Sequence, residues 1–111
     1  MDPRLERIAK NEAVFRATNR EIERVEQEEG GAADGALEFI CECGRDSCSG
    51  VITLTVSEYH SAHSQKDRFV VVSGHQTEEI ERVVDDRGAY LVVDKFGKAE
   101  EIVEDDPAGT Q

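Results

Sequence analysis

Hydrophobic positions in the first 29 residues recur at the spacing of one helix face. This apolar stripe consists of Leu5, Ile8, Phe15, Ile22 and Val25, and it is partly filled by Ala9 and Thr18. Asp2 is a favourable N-cap residue, and Pro3 suits the first helical position because its ring fixes a helical φ. We therefore predict one long N-terminal helix over residues 1–29.

Three polar residues interrupt the apolar stripe, namely Asn11, Glu12 and Asn19. About 25 helical residues span roughly 37 Å, whereas a domain of about 65 residues has a radius of gyration of about 11 Å. We therefore expect the helix to overhang the rest of the protein, to form a homodimer through its stripe, or to dock on a partner.

From Leu37 onward the pattern changes to the period of two that is typical of strands. Strands are predicted over residues 37–43, 51–55, 68–72, 80–84 and 89–93, the last two as a hairpin. Thr55 and Glu58 match a capping box, which predicts a short helix ending near His63, with Tyr59 and Ala62 facing inward. The fold class is therefore α+β: a long N-terminal helix followed by a small, mostly antiparallel β-sheet domain with one short helix.

Composition divides the chain into segments. Residues 30–36 are rich in Gly and Ala, which is typical of a flexible linker. Residues 104–111 are acidic and contain a proline, which is typical of a disordered tail. The predicted organisation is a helix over residues 1–29, a linker over 30–36, the α+β domain over 37–103 and the tail.

Charge narrows the classes of function. The 111-residue chain has 13 Lys and Arg against 25 Asp and Glu, a formal net charge of −12. Nucleic-acid backbones and anionic membranes repel such a surface. No apolar run approaches the roughly 20 residues needed to span a bilayer, and the N-terminus lacks the apolar stretch of a signal peptide. We therefore expect a cytoplasmic protein with no membrane contact, in which cysteines stay reduced.

Three cysteines lie in a C-x-C-x4-C arrangement at Cys41, Cys43 and Cys48. Side chains two apart on a strand share a face, so we expect Cys41 and Cys43 to point the same way. The loop after Gly44 then folds Cys48 back beside them. Because thiolates favour zinc over calcium or magnesium, the pattern predicts a zinc knuckle; a thiol redox switch is the alternative interpretation.

A closed structural zinc site needs a fourth ligand. The candidates are His60, His63 and His75, and water or Asp46 are further alternatives. His75 follows a strand end and a Ser-Gly turn that can aim its side chain inward, which gives it a slight lead.

Three short sequence motifs lie along the chain. The predicted helix contains N-E-x-x-F-R from Asn11 to Arg16. The motif F-x-C-E-C-G-x-x-x-C is formed by Phe39, Cys41, Glu42, Cys43, Gly44 and Cys48, and a later G-H is formed by Gly74 and His75. In these motifs the chain resembles small uncharacterised actinobacterial proteins over most of its length. The resemblance implies that His75 is the fourth ligand and that His60 and His63 are incidental; it implies no activity.

One face of the predicted helix carries basic side chains four residues apart, namely Arg16, Arg20 and Arg24. Residues 1–24 have a formal net charge of +1, whereas residues 78–106 have one of −7. The row is either a solvated face with local ion pairs, or a docking row for an acidic partner or a phosphate backbone. Phe15 and Ile22 are further candidates for partner contact.

These features predict a small zinc-binding protein with structural zinc that acts as a protein–protein interaction or regulatory module. Its acidity fits a larger partner with a basic surface, such as one in the transcription or translation machinery. A thiol redox or zinc sensor is the alternative function. We expect no enzymatic activity, because no H-E-x-x-H or comparable motif is present. Direct nucleic-acid binding would have to rely on the arginine row alone.

Overall fold

A computed structural model describes residues 2–28, 35–63, 65 and 67–105. Over these residues the chain forms, in order, α1 (Pro3–Glu28), β1 (Ala36–Ile40), β2 (Val51–Thr55), α2 (Val56–Ala62), β3 (Arg68–Val72), β4 (Glu81–Asp86), β5 (Tyr90–Lys95) and α3 (Gly97–Asp105). The predicted α+β class is confirmed. Residues 30–34 of the predicted linker and residues 106–111 of the predicted tail lie outside the described residues.

The strands form two antiparallel sheets rather than one. β1 pairs with β2, with Phe39 opposite Ile52. The second sheet has the order β3-β5-β4, and Val70 on β3 lies opposite Val92 on β5. The segment after β1 bridges the two sheets, because the Glu42 amide donates to the Val70 carbonyl oxygen at 2.9 Å.

Strand β3 of the three-stranded sheet is covered on both faces. Phe69 and Val71 contribute to a core with α1 and α3, whereas Val70 faces the opposite way, into a core with Phe39 and Tyr59. Burial on both faces explains why β3 is an almost unbroken apolar run. The cysteine segment belongs to the first of these cores, since Cys41 and Cys43 are buried within it.

Helix α1 is almost as long as the whole molecule. Its 26 residues span about 39 Å, against a longest dimension of 42 Å for the protein. Its N-terminus is capped as predicted, since Asp2 Oδ1 accepts from the Arg4 amide at 2.7 Å. The buried face includes Glu12, Arg16 and Asn19. Glu12 and Asn19 interrupt the apolar stripe in the sequence. In the structure both are buried, so they belong to the packed face of the helix.

Of the two short helices, α2 was predicted from the sequence and α3 was not. The capping box of α2 is confirmed, and Tyr59 and Ala62 are buried. Helix α3 was not predicted, and it extends through residues 104 and 105, which were assigned to a disordered tail. Its buried residues Ala99 and Val103 pack against α1. Among the described helices, none combines the length and hydrophobicity needed to cross a bilayer.

Candidate metal centre

The knuckle, defined as residues 41–48, begins where β1 ends. Its backbone continues the pairing of β1 with β2, because the Cys41 amide donates to the Gly50 carbonyl oxygen at 2.9 Å. The expected alternation follows: Cys41 and Cys43 point to one side, and Glu42 points to the other. Cys48 returns to the same side after the turn. His75 arrives from the end of β3, after Gly74, whose φ of 92° reverses the chain.

The ligand atoms of Cys41, Cys43, Cys48 and His75 all lie within 4.8 Å of one another. His75 Nδ1 is 3.6 Å from the Cys41 sulfur and 3.5 Å from the Cys48 sulfur. A tetrahedral zinc ion with ordinary Zn–S and Zn–N bond lengths places a sulfur and a nitrogen ligand about 3.6 Å apart. These two distances therefore match a tetrahedral metal site, and the four side chains together could hold one ion.

The alternative fourth ligands are occupied elsewhere. The imidazole of His60 lies on the surface, 3.5 Å from Glu23. His63 is buried against Glu42 at 2.7 Å. The carboxylate of Asp46 accepts a hydrogen bond from Asn11 at 3.0 Å. Among the candidates, the structure brings His75 to the three cysteines.

Backbone amides support two of the sulfurs. The Val72 amide donates to Cys41 Sγ at 3.2 Å, and the Gly50 amide donates to Cys48 Sγ at 3.4 Å. A hydrogen bond from the Cys41 thiol lowers the pKa of Cys43 to about 4, and the same bond raises the pKa of Cys41. A metal bound by both sulfurs would displace the proton that they share in this hydrogen bond.

Helix α1 packs against the knuckle at Gly44. Gly44 has a φ of 75°, and a Cβ there would lie 2.4 Å from the Ile8 carbonyl oxygen. Asn11 Nδ2 donates to the Gly44 carbonyl oxygen at 3.0 Å. Only glycine fits this contact, so the glycine of the cysteine motif has a packing role as well as a conformational one.

A buried polar network lies behind the cysteines and was missed by the sequence analysis. The carboxylate of Glu42 accepts from Asn19 at 2.8 Å, from the Tyr59 hydroxyl at 2.8 Å and from the Val70 amide at 2.9 Å. Burial opposes ionisation of Glu42, but His63 and these donors outweigh it and lower the pKa.

His63 completes this network and is not incidental. Its Nε2 faces Glu42 at 2.7 Å, and its Nδ1 faces the Tyr59 carbonyl oxygen at 3.1 Å. Both neighbours are acceptors, so both ring nitrogens donate when the imidazole is charged. The Glu42 carboxylate therefore points into the core, away from the cysteine sulfurs, and is not placed to act as a base at the cysteine site.

A second buried polar cluster joins α1 to the three-stranded sheet. Lys95 Nζ donates to Glu12 at 2.6 Å and also contacts the carboxylate of Glu81; all three side chains are buried. Lys95 and Arg16 each lie over the ring of Phe69. Burial raises the pKa of Glu12 to about 8, against the opposing attraction of Lys95. Desolvation of the buried carboxyl group is thus the dominant cause, and it favours the protonated form of Glu12.

The predicted partner surface is only partly exposed. Arg16 is fully buried, and it donates to the Val103 carbonyl oxygen at 3.4 Å. It therefore does not lie on an exposed row with Arg24, which corrects that expectation, and Arg20 is half-buried. Arg24 is exposed and pairs with two glutamates of its own helix. Phe15 and Ile22 are half-buried, and a partner contact through them stays a prediction.

Comparison with known proteins gives no assignment: no family model, no curated protein and no solved structure matches this chain. The resemblance to small actinobacterial proteins therefore stays a prediction. What the chain does is inferred below from the chemistry of its own side chains.

Proposed function

We propose that this chain is a zinc-binding protein in which zinc is structural, and that it acts as a protein–protein interaction module. The observation that supports it most is the distance from His75 Nδ1 to two cysteine sulfurs, 3.5 and 3.6 Å. That distance equals the ligand separation of about 3.6 Å in a tetrahedral site.

The donor set fits zinc. Three thiolates and one imidazole match the Cys3His type of structural site. Soft sulfur ligands disfavour calcium and magnesium. With a neutral imidazole, Zn²⁺ and three thiolates carry a net charge of −1, and the amides on Cys41 and Cys48 help to stabilise it.

Burial supports a structural rather than a catalytic role. Cys41 is 2% exposed and Cys43 is fully buried, so the ion would lie largely inside the core. Four protein ligands complete a tetrahedral shell, whereas a catalytic zinc keeps one position for water or substrate. Glu42, the nearest carboxylate in sequence, is turned into the opposite core.

The zinc would tie together elements that are distant along the chain. Its ligands come from the end of β1, the knuckle and the turn after β3. Through Gly44 the knuckle also holds α1. A small domain gains much of its stability from such a tie, because metal-binding free energy becomes folding free energy.

The interaction role is supported by the second sheet. β4 is an edge strand of the sheet with order β3-β5-β4. Val83 and Val84 on this strand are 45% and 41% exposed. An edge strand offers free backbone groups to a partner, and acidic neighbours favour a partner with a basic surface.

Replacement of single histidines tests the zinc proposal. We expect His75→Ala to lower zinc affinity at least about tenfold, because it removes a ligand. His60→Ala is the matched control, since His60 lies on the surface, and it should bind zinc as the wild type does. Zinc affinity is measured by competition with a chromophoric chelator. Equal affinities for the two variants would contradict the assignment.

A redox sensor is the second candidate, favoured by the exposure of Cys48. Cys48 is half-buried while the other two cysteines are buried. Peroxide would oxidise two thiolates to one disulfide, with peroxide reduced to water and zinc released. If zinc stays bound at peroxide concentrations that oxidise free cysteine, this function is excluded.

A further inference from the structure

A basic pocket lies where the N-terminal turns of α1 meet the knuckle. The residues that line it include Arg4, Arg7 and Arg45, together with Ser47. The cavity has a volume of about 330 Å³, and Ile8 contributes to its lining. Three arginines around one cavity stand out in a chain whose net charge is −12.

The arginines of this pocket make only weak ion pairs and hydrogen bonds with the rest of the protein. Arg4 pairs with Glu79 at 3.2 Å, and Arg7 pairs with Asp46 at 3.7 Å; all four side chains are more than half exposed. Arg45 donates to a backbone carbonyl oxygen at 3.4 Å. Exposed ion pairs contribute little free energy, so a doubly charged anion can displace these carboxylates from the guanidinium groups.

We propose that this pocket binds the phosphate group of a phosphorylated side chain on a partner protein. Guanidinium groups donate two parallel hydrogen bonds to phosphate oxygens. Arg4 and Arg7 belong to the first turns of α1, where the helix dipole also favours negative charge. The Ser47 hydroxyl supplies a neutral donor at the same wall.

The surrounding charge selects a single phosphate over a polyanion. Asp46 lies in the pocket wall and Glu79 lies beside it. The remainder of the chain is strongly acidic, so successive phosphates of a nucleic acid would meet repulsion. Arg4, Arg7, Arg45 and Ser47 in the pocket walls are exposed, which leaves room for the residue that carries the phosphate.

The inference rests on the proposed function in one respect. The wall formed by Gly44, Arg45 and Ser47 lies between the ligands Cys43 and Cys48. Zinc would therefore fix the backbone that presents Arg45. The pocket also gives the interaction module a partner chemistry, namely a phosphoprotein.

An NMR titration of the zinc-loaded full chain tests the proposal. The probe is the capped peptide Gly-Gly-Ser-Gly-Gly with its serine phosphorylated, compared with the unphosphorylated peptide, inorganic phosphate and a single-stranded RNA at constant ionic strength. We expect saturable amide shifts at residues 4–8 and 44–47 with the phosphopeptide. Arg45→Gln and Arg7→Gln should weaken binding at least about tenfold. Arg24→Gln, an exposed arginine elsewhere on α1, should not.

Several results would overturn the proposal. These are the absence of saturable shifts, equal binding by Arg45→Gln and wild type, tighter binding of the RNA, and inorganic phosphate binding as tightly as the phosphopeptide. The same spectra show whether each variant is folded. Zinc content, measured on each sample, separates the two failures: zinc without phosphopeptide binding refutes the pocket, and absence of zinc refutes the metal site.

Discussion

Gly44 and Ile8 touch through their backbones: a Cβ at Gly44 would lie 2.4 Å from the Ile8 carbonyl oxygen. This contact joins the cysteine knuckle to the N-terminal helix, and the Glu12 side chain lies beside it, 2.6 Å from the same Cβ position. Asn11, on the next turn of α1, donates to the Gly44 carbonyl oxygen at 3.0 Å. The helix and the metal centre are therefore parts of one packed unit.

Gly44→Ala is expected to destabilise the protein more than Gly88→Ala. Both glycines have positive φ, 75° and 83°, but a Cβ at Gly88 meets nothing within 4 Å. The backbone conformation alone costs about 1–2 kcal/mol, so Gly88→Ala measures that cost, and any excess at Gly44 measures the clash with α1. Urea unfolding gives both values. Equal losses would show that the knuckle does not press against the helix.

Lys95→Met should cost about 3–5 kcal/mol of unfolding free energy, because it leaves the buried carboxyl groups of Glu12 and Glu81 without their cation. Lys98→Met is the control. Lys98 makes an exposed pair with Glu101, which is worth at most about 1 kcal/mol. Thermal or urea unfolding of both variants tests this, and a tolerated Lys95→Met would place the lysine outside the core.

Glu12 should make the protein less stable as pH rises. Burial raises its pKa in the folded state from the usual 4.5 to about 8. Between these values the folded state holds a proton that the unfolded state has lost, so unfolding free energy falls with increasing pH. Relative to Glu12→Gln, the wild type should lose more than about 1 kcal/mol between about pH 5 and about pH 8.5. Parallel pH profiles would show that Glu12 does not retain this proton.

The parts of the fold and of the site that depend on short stretches of sequence were predicted correctly. β3 was predicted with its observed bounds because β-branched residues fill it and Ser73-Gly74 end it. The capping box of α2 depends on two residues three apart. The two cysteines of C-x-C share a side because alternation along an extended backbone requires it. His75 was favoured only by its turn and by a family resemblance, since its approach to the cysteines depends on how β3 packs.

Buried charges were the main failure of the sequence analysis. Glu12, Arg16 and Lys95 are fully buried, yet in sequence each resembles a surface residue, because its partner lies on a distant element. The Glu12–Lys95 pair spans 83 positions, which no local pattern records. Helix α3 was missed for a related reason: its apolar residues are few, and packing against α1 stabilises it.

X-ray absorption spectroscopy at the zinc edge tests the central claim most directly. The measurement needs the purified full chain with its metal content determined. We predict one zinc per chain, with three sulfur ligands at about 2.3 Å and one nitrogen ligand at about 2.0–2.1 Å, from Cys41, Cys43, Cys48 and His75. Absence of zinc from the purified protein, or a shell made only of oxygen and nitrogen ligands, would contradict the account.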